Sequence, residues 1–462
     1  MTAPPPSPGA RSSPASFAPP TLVADPPLIA LAKAAIALVS TAVIAYAVAT
    51  GLFGFQGFGG SPVMPTLGLV LLITIGIRVG LWLAYRPAPR DQTPTLTVVV
   101  PAYNEGPGVR KTLESLLASD YPRDRLRVIA VNDGSKDDTG HALDRARVDL
   151  LARGDDRLTV IHLPKNMGKR HALHTGFKQT DTELVATVDS DSYVLADTLA
   201  NLVAPFTKAH VAGVAGKVLV ANRETNLLTR MLHVRYVLGF DFVRAYQDKL
   251  ASVWCCPGAL QAYRRSVIAP HLDRWLDQRF LGARCTNGDD HAMTNLVLSL
   301  GHDTRYQSNA VVYTLVPETY TRLSKMFLRW ARSSTREGLL ALLFVPRRMV
   351  TLARRANNPV TAVTHPIGVA LDAIAQPVFV GLRFAGLFFG VGLALLHPLL
   401  LAKTLVASTL IALPYAAVYL RSERHTDVLF GVLYGWFALF ALFWIQPLAV
   451  LTVRKNGWMT RG

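Results

Sequence analysis

The sequence predicts an α/β domain, built on a sheet of parallel strands, set between apolar segments that form a helical transmembrane bundle. Three observations carry this reading. Between residues 87 and 320, short β-branched runs alternate with segments of helical apolar spacing. Long apolar stretches flank that region on both sides. Polar clusters recur where the β-branched runs end, the place where open α/β sheets hold ligands.

The elements follow in order. Residues 1–27 are a Pro/Ser/Ala-rich tail of low complexity, predicted disordered. Two spans are predicted within 28–86, because "LIALAKAAIALVSTAVIAYAVATGLF" (28–53) and "TLGLVLLITIGIRVGLWLAYR" (66–86) each exceed the roughly 20 apolar residues that cross a bilayer. The first is too long for a signal-peptide core and lacks a basic flank before it. Residues 87–320 form the soluble domain, 321–358 amphipathic interfacial helices, 359–450 a C-terminal bundle and 451–462 a basic tail. Two spans before the domain and four after it return that tail to the side of Arg86 and Arg90, the cytoplasmic side by the positive-inside rule.

Half of the residues are hydrophobic and the formal net charge is +17. Such a charge raises nucleic acid as a partner, but its placement argues against it. Nine Lys/Arg and one acid, Glu337, lie between Arg322 and Arg355, beside the apolar bundle and with no nucleic-acid motif. Anionic lipid of a cytoplasmic leaflet is the expected partner. The protein is therefore expected in the cell (inner) membrane, with its inserted domain cytoplasmic. Cys255, Cys256 and Cys285 have no zinc spacing and are expected reduced and buried.

Within the insert, "TLTVVVP" (95–101), "LRVIAV" (126–131), "LTVIHL" (158–163) and "ELVATV" (183–188) read as strands, and apolar residues at helical spacing over 107–118 read as a helix. The polar clusters "AYNE", "NDGS", "KNMGKR" and "DSD" each follow one of these strands. The chemistry they imply is binding of a phosphorylated nucleotide. Asp189 and Asp191 sit two apart, where both carboxylates can face one Mg²⁺ or Mn²⁺ that also takes diphosphate oxygens. Lys169 and Arg170 follow Gly168 at a helix start and supply donors to the same diphosphate. Asp133 can accept from a base N–H or close an Asx turn before Gly134, and Tyr103 can stack on the base. Taken one at a time, each of these also reads as a solvated turn or helix end. The pair Asp289–Asp290 in "NGDDHAMTN" is likewise open between two loop acids and a reacting carboxylate.

Together these segments resemble the inverting family 2 glycosyltransferases with a GT-A fold, including hyaluronan synthases and rhizobial chitooligosaccharide synthases. The resemblance covers residues 95–340 in motif order, and more loosely the membrane segments and tail. "PAYNE" (101–105), with Pro101, Tyr103 and Glu105, and "NDGS" (132–135), with Asp133, are similar to uridine-binding turns. "NMGKR" (166–170), with Lys169, resembles the diphosphate-facing segment and "DSD" (189–191) the metal motif. "CCPGALQAYRRS" (255–266), with Gly258, is similar to the acceptor-facing segment. "GDDHAMTN" (288–295) resembles the segment of the catalytic base, which implies Asp290 as base and Asp289 as its neighbour. "LRWARSSTRE" (328–337) resembles an arginine–tryptophan signature, implying Arg329 as a diphosphate ligand and Trp330 as a platform for the acceptor sugar. The tail "NGWMTRG" (456–462), with Trp458 and Arg461, is similar to one that closes over bound UDP. One departure stands out. The signature's Gln, three residues before the Arg, is Met326 here, so a side-chain amide near the acceptor is lost.

The resemblance implies an enzyme that polymerises sugar from a UDP-sugar donor onto a growing β-linked polysaccharide acceptor. In a single displacement one carboxylate deprotonates the acceptor hydroxyl as the sugar leaves UDP, so no second carboxylate nucleophile is required. Two alternatives remain at this level: transfer of one sugar to a lipid acceptor, and an inactive membrane scaffold or channel. The donor sugar is not specified by the sequence.

Overall fold

The structure is a computed structural model that describes residues 63–385, 409, 416, 418–423 and 427–455. The tail 1–27, the first expected span, Lys403, most of the middle of the C-terminal bundle, and Trp458 and Arg461 lie outside the described residues.

Helix α1 (Val63–Leu83) leads into the domain. Then come β1 (Leu96–Ala102), α2 (Val109–Leu117), β2 (Leu126–Asn132), α3 (Thr139–Leu151), β3 (Leu158–His162), α4 (Lys169–Lys178) and β4 (Leu184–Val188). These four strands match the expected runs and pair in parallel, in the order β3-β2-β1-β4. The run of valines in β1 is explained by burial on both faces. Val98 and Val100 join a core with Leu113 and Leu116 of α2, while Val99 points the other way, toward Leu173 and Phe177 of α4.

Beyond β4 the sheet is mixed: the parallel expectation holds for one pair of strands and fails for the others. β5 (Ser192–Val194) follows β4 after only three residues, too few for the crossover that a parallel neighbour requires. It goes instead to the far edge of the sheet. After α5 (Thr198–Val203) and β6 (Val211–Val220), the chain makes α6 (Leu227–Val237), a wide π-helical turn at Leu238–Phe242 and α7 (Val243–Lys249). β7 (Leu260–Arg264) then inserts antiparallel between β4 and β6. A two-residue ribbon, β8 (Arg279–Phe280) with β9 (Ala283–Arg284), precedes α8 (Asp289–Ser299). β10 (Asp303–Thr314) pairs in parallel with β6, as expected, and antiparallel with β5. It completes a mixed eight-stranded sheet, β3-β2-β1-β4-β7-β6-β10-β5.

Three helices follow: α9 (Tyr320–Ala341), α10 (Val345–Arg355) and α11 (Pro359–Ala385). α12 (Val428–Ala441) and α13 (Ile445–Leu451) come last. Within the basic segment Arg332, Arg336 and Arg348 are buried. Arg336 donates to the Asn287 carbonyl and Arg348 to Asp303 of the α/β domain, and Arg332 donates to the Thr452 hydroxyl that follows α13. Among the described residues no single helix is long and apolar enough to cross a membrane. The bent pair Leu429–Ala441 and Ile445–Leu451, 49° apart, is long and apolar enough together. Ile73–Leu83 and Pro359–Ala375 are shorter apolar helices.

Candidate functional site

The carboxyl ends of β1, β2, β3 and β4 open into a cavity of about 1100 Å³, closed from the other side by α8 and α9. All twelve described site candidates line it: Pro101, Tyr103, Glu105, Asp133, Lys169, Asp189, Asp191, Gly258, Asp289, Asp290, Arg329 and Trp330. Pro101 and Trp330, 229 positions apart, meet there because parallel strands deliver their polar ends to one edge and α8 and α9 close over it.

The turns that follow β1, β2, β3 and β4 are bound to each other. Asp133 accepts from the backbone N–H of Met167 (2.8 Å) and of Gly168 (2.9 Å), so it fixes the Lys169 loop. Burial pushes its carboxyl up, and those two N–H groups pull it back. Asn104, in the left-handed region at φ 51°, accepts from Lys136 N–H at 3.0 Å, and Ser190 Oγ donates to Glu105 at 2.6 Å.

Lys169 pairs with Asp189, and its Nζ lies 3.9 Å from Asp289. Burial disfavours its charge, but Asp189 and then Asp289 outweigh this and raise its pKa. Asp191 is half-buried beside Asp189, and desolvation followed by that like charge pushes it up to about 6. Ser192 and Thr314 hydroxyls each donate to Asp191 at 3.3 Å. Arg170, expected to donate to phosphate beside Lys169, points the other way. It is buried, stacks 5.3 Å over Trp275 and donates to the carbonyls of Asn287 and Gly288 at 3.2 Å.

Asp289 and Asp290 open α8, where unpaired backbone N–H groups favour negative charge. Asp290 accepts from His291 N–H at 2.8 Å and from Gly258 N–H at 3.3 Å. Burial raises its pKa, Asp289 raises it further, and Lys169 opposes both. Asp289 is buried, and its Oδ2 has no hydrogen-bond partner. Gly258 serves this cluster through its backbone and its missing side chain. A Cβ there would lie 3.0 Å from Lys169 Nζ.

Arg329 faces the same acids from α9. Burial lowers its pKa, opposed by Asp289, Asp290 and Asp189. Trp330 lines the cavity within an aromatic group, with ring centres 5.6 Å from Phe327, 6.2 Å from Tyr236 and 6.4 Å from Phe240. Met326 is buried one turn before Arg329 and reaches the same cavity. Sequence reasoning missed Tyr236, Phe240 and Arg244 on the cavity wall. The wide turn at Leu238–Phe242 that presents them leaves no sequence signature.

Paired acids and a half-buried lysine at the strand ends of a mixed α/β sheet fit a GT-A-like transferase fold. The glycosyl transferase family 2 profile matches residues 97–272. An N-acetylglucosaminyltransferase of Rhizobium meliloti is 31% identical over 386 residues, 82% of this chain and 84% of that protein. A hyaluronan synthase of Streptococcus pyogenes is 29% identical over 411 residues, 87% of this chain and 92% of that protein. A mannosyltransferase from Pyrobaculum calidifontis, solved with GDP-Man and Mn²⁺, superposes with a TM-score of 0.48 at 21% identity, covering 85% of this chain and 98% of its own. This chain belongs to glycosyl transferase family 2, and it is a glycosyltransferase.

Proposed function

We propose that the protein is a membrane-embedded inverting synthase that polymerises sugar from a UDP-sugar into a β-linked polysaccharide and passes it across the inner membrane. The observation that carries this reading is the convergence of Asp133, Lys169, Asp189, Asp290 and Trp330 on one cavity. Asp290 takes the proton of the acceptor hydroxyl. That oxygen then bonds the anomeric carbon from the face opposite UDP, the bond to the diphosphate breaks, and UDP leaves. Lys169 and Arg329 hold the departing diphosphate. Trp330 offers a ring face to the acceptor sugar.

Mg²⁺ or Mn²⁺ fits this donor set. Asp189 and Asp191 present two hard carboxylates to one edge of the cavity, and burial followed by the charge of Asp189 raises the pKa of Asp191. Among the described residues no group of three or more metal-ligating side chains occurs, which suits an ion completed by substrate phosphates. When bound, the cation neutralises charge on the diphosphate.

The cytoplasmic domain is assigned to residues 87–320, interfacial helices to 321–358, the bundle to 359–450 and the gating-like tail to 451–462. Exposed Leu342, Leu343, Val360, Val363 and Ile367 supply an apolar face on the helices after the domain, in keeping with lipid contact. The test uses purified full-length protein in lipid nanodiscs with each UDP-sugar, singly and in pairs. UDP release with long product is expected. A product lengthened by one sugar favours the single-transfer alternative, and absence of UDP release with every donor favours the scaffold.

A further inference from the structure

Glu337 is fully buried, two turns after Trp330 on the same helix. Its carboxylate accepts from Arg336 Nε at 3.0 Å, Gln278 Nε2 at 3.1 Å and Asn295 Nδ2 at 3.1 Å. Asn295 lies on α8, the helix that Asp289 and Asp290 open. Arg336, 1% exposed, donates to the Asn287 carbonyl at 2.6 Å and to its side-chain oxygen at 3.2 Å. Arg170 reaches the carbonyls of Asn287 and Gly288 from the sheet side, and also donates to Gln278 at 2.9 Å. Gly288 is left-handed at φ 72°, and a Cβ there would lie 2.9 Å from both Ser333 Cβ and Arg336 Nη2. The turn before the acid pair is thus packed against α9 with no room for a side chain.

Glu337, Arg336, Gln278, Asn295 and Asn287 do not line the cavity, and a buried charge network costs desolvation that packed apolar side chains would avoid. Its geometry has one evident use. We propose that Glu337 and Arg336 are positioning residues that hold Asp290 in register with Trp330, so that base and acceptor platform keep a fixed separation. This rests on the reading of Asp290 as the base.

The test is UDP-release kinetics on full-length protein in nanodiscs, with UDP binding measured in parallel. Glu337→Gln puts an amide among three donors and should lower kcat about tenfold or more while the donor KM stays within about twofold, since small misplacement of a reacting group costs rate rather than donor affinity. In an Asp290→Asn background the same change should cost nothing further, because the group being positioned is gone. Wild-type kcat in Glu337→Gln, or an equal loss in both backgrounds, overturns the proposal. Should that variant lose UDP binding as well, Gln278→Ala, at a half-buried site, must give a kcat-only loss of about threefold, and a loss in KM instead overturns it. Near-normal turnover of Asp290→Asn alone would refute the base assignment itself, a separate outcome.

Discussion

Asp290 owes its chemistry to its surroundings. A carboxylate at a helix N-terminus is ordinarily acidic, yet burial and Asp289 push this one up, toward a better base. Asp290→Asn is expected to keep UDP binding while turnover falls by about 10²-fold or more, measured by single-turnover kinetics. The pH dependence has a definite sign. The base works deprotonated, so kcat should rise with pH through a limb above the ordinary carboxylate range. Asp289→Asn removes a charge that raises Asp290, so the limb should move to lower pH; a limb that stays put would mean another group titrates. At this scale the sequence located almost every group but not its partners. Asp133 reads in the sequence as accepting from a base N–H or closing an Asx turn, and the structure adds its bonds to the Met167 and Gly168 N–H groups. Arg170 was read with Lys169, and one step along a helix turns it about 100° away, into the loop that carries the acids.

Among the elements, α9 carries the most. Its apolar and basic pattern reads as a helix lying on a membrane surface, and its inner face contributes Met326, Arg329 and Trp330 to the cavity and Arg336 and Glu337 to the core. If Trp330 stacks on the acceptor, Trp330→Ala loses about 0.5–1.5 kcal/mol beyond burial, and product shortens while UDP affinity holds. Trp330→Phe, keeping a ring face, should retain long product; equal lengths from all three proteins would place the acceptor elsewhere. On α10, Arg348 is wholly buried and donates to Asp303 at 2.8 Å and to the Ala251 carbonyl at 2.6 Å. Arg348→Met leaves Asp303 with only the longer contacts to Arg355 and His210, both 3.5 Å. A loss of about 3 kcal/mol is expected, seen as a lower thermal midpoint in detergent. An unchanged midpoint would mean those two contacts suffice.

Over the whole molecule, the sheet supplies the acids and lysine of the donor side, and the helices after β10 supply the wall that faces them. Catalysis should therefore depend on a cation held at the sheet edge alone. EDTA is expected to abolish UDP release, with Mg²⁺ or Mn²⁺ restoring it in the wild type but not in Asp191→Ala at moderate metal. Full activity in chelator would sink the two-carboxylate site.

By itself the sequence determined the first four strands, the alternation of helices between them and the polar clusters at their carboxyl ends, but not Tyr236, Phe240 or Arg244. Those signals are local: β-branched runs, turn residues and polar clusters at strand ends are written within a few positions of one another. The tertiary structure decided the antiparallel insertion of β7, the displacement of β5 to the far edge and the inward turn of Arg332, Arg336 and Arg348. It also decided which acid meets which cation across the cavity. These outcomes depend on contacts between residues tens to hundreds of positions apart, where burial and pairing override the local pattern.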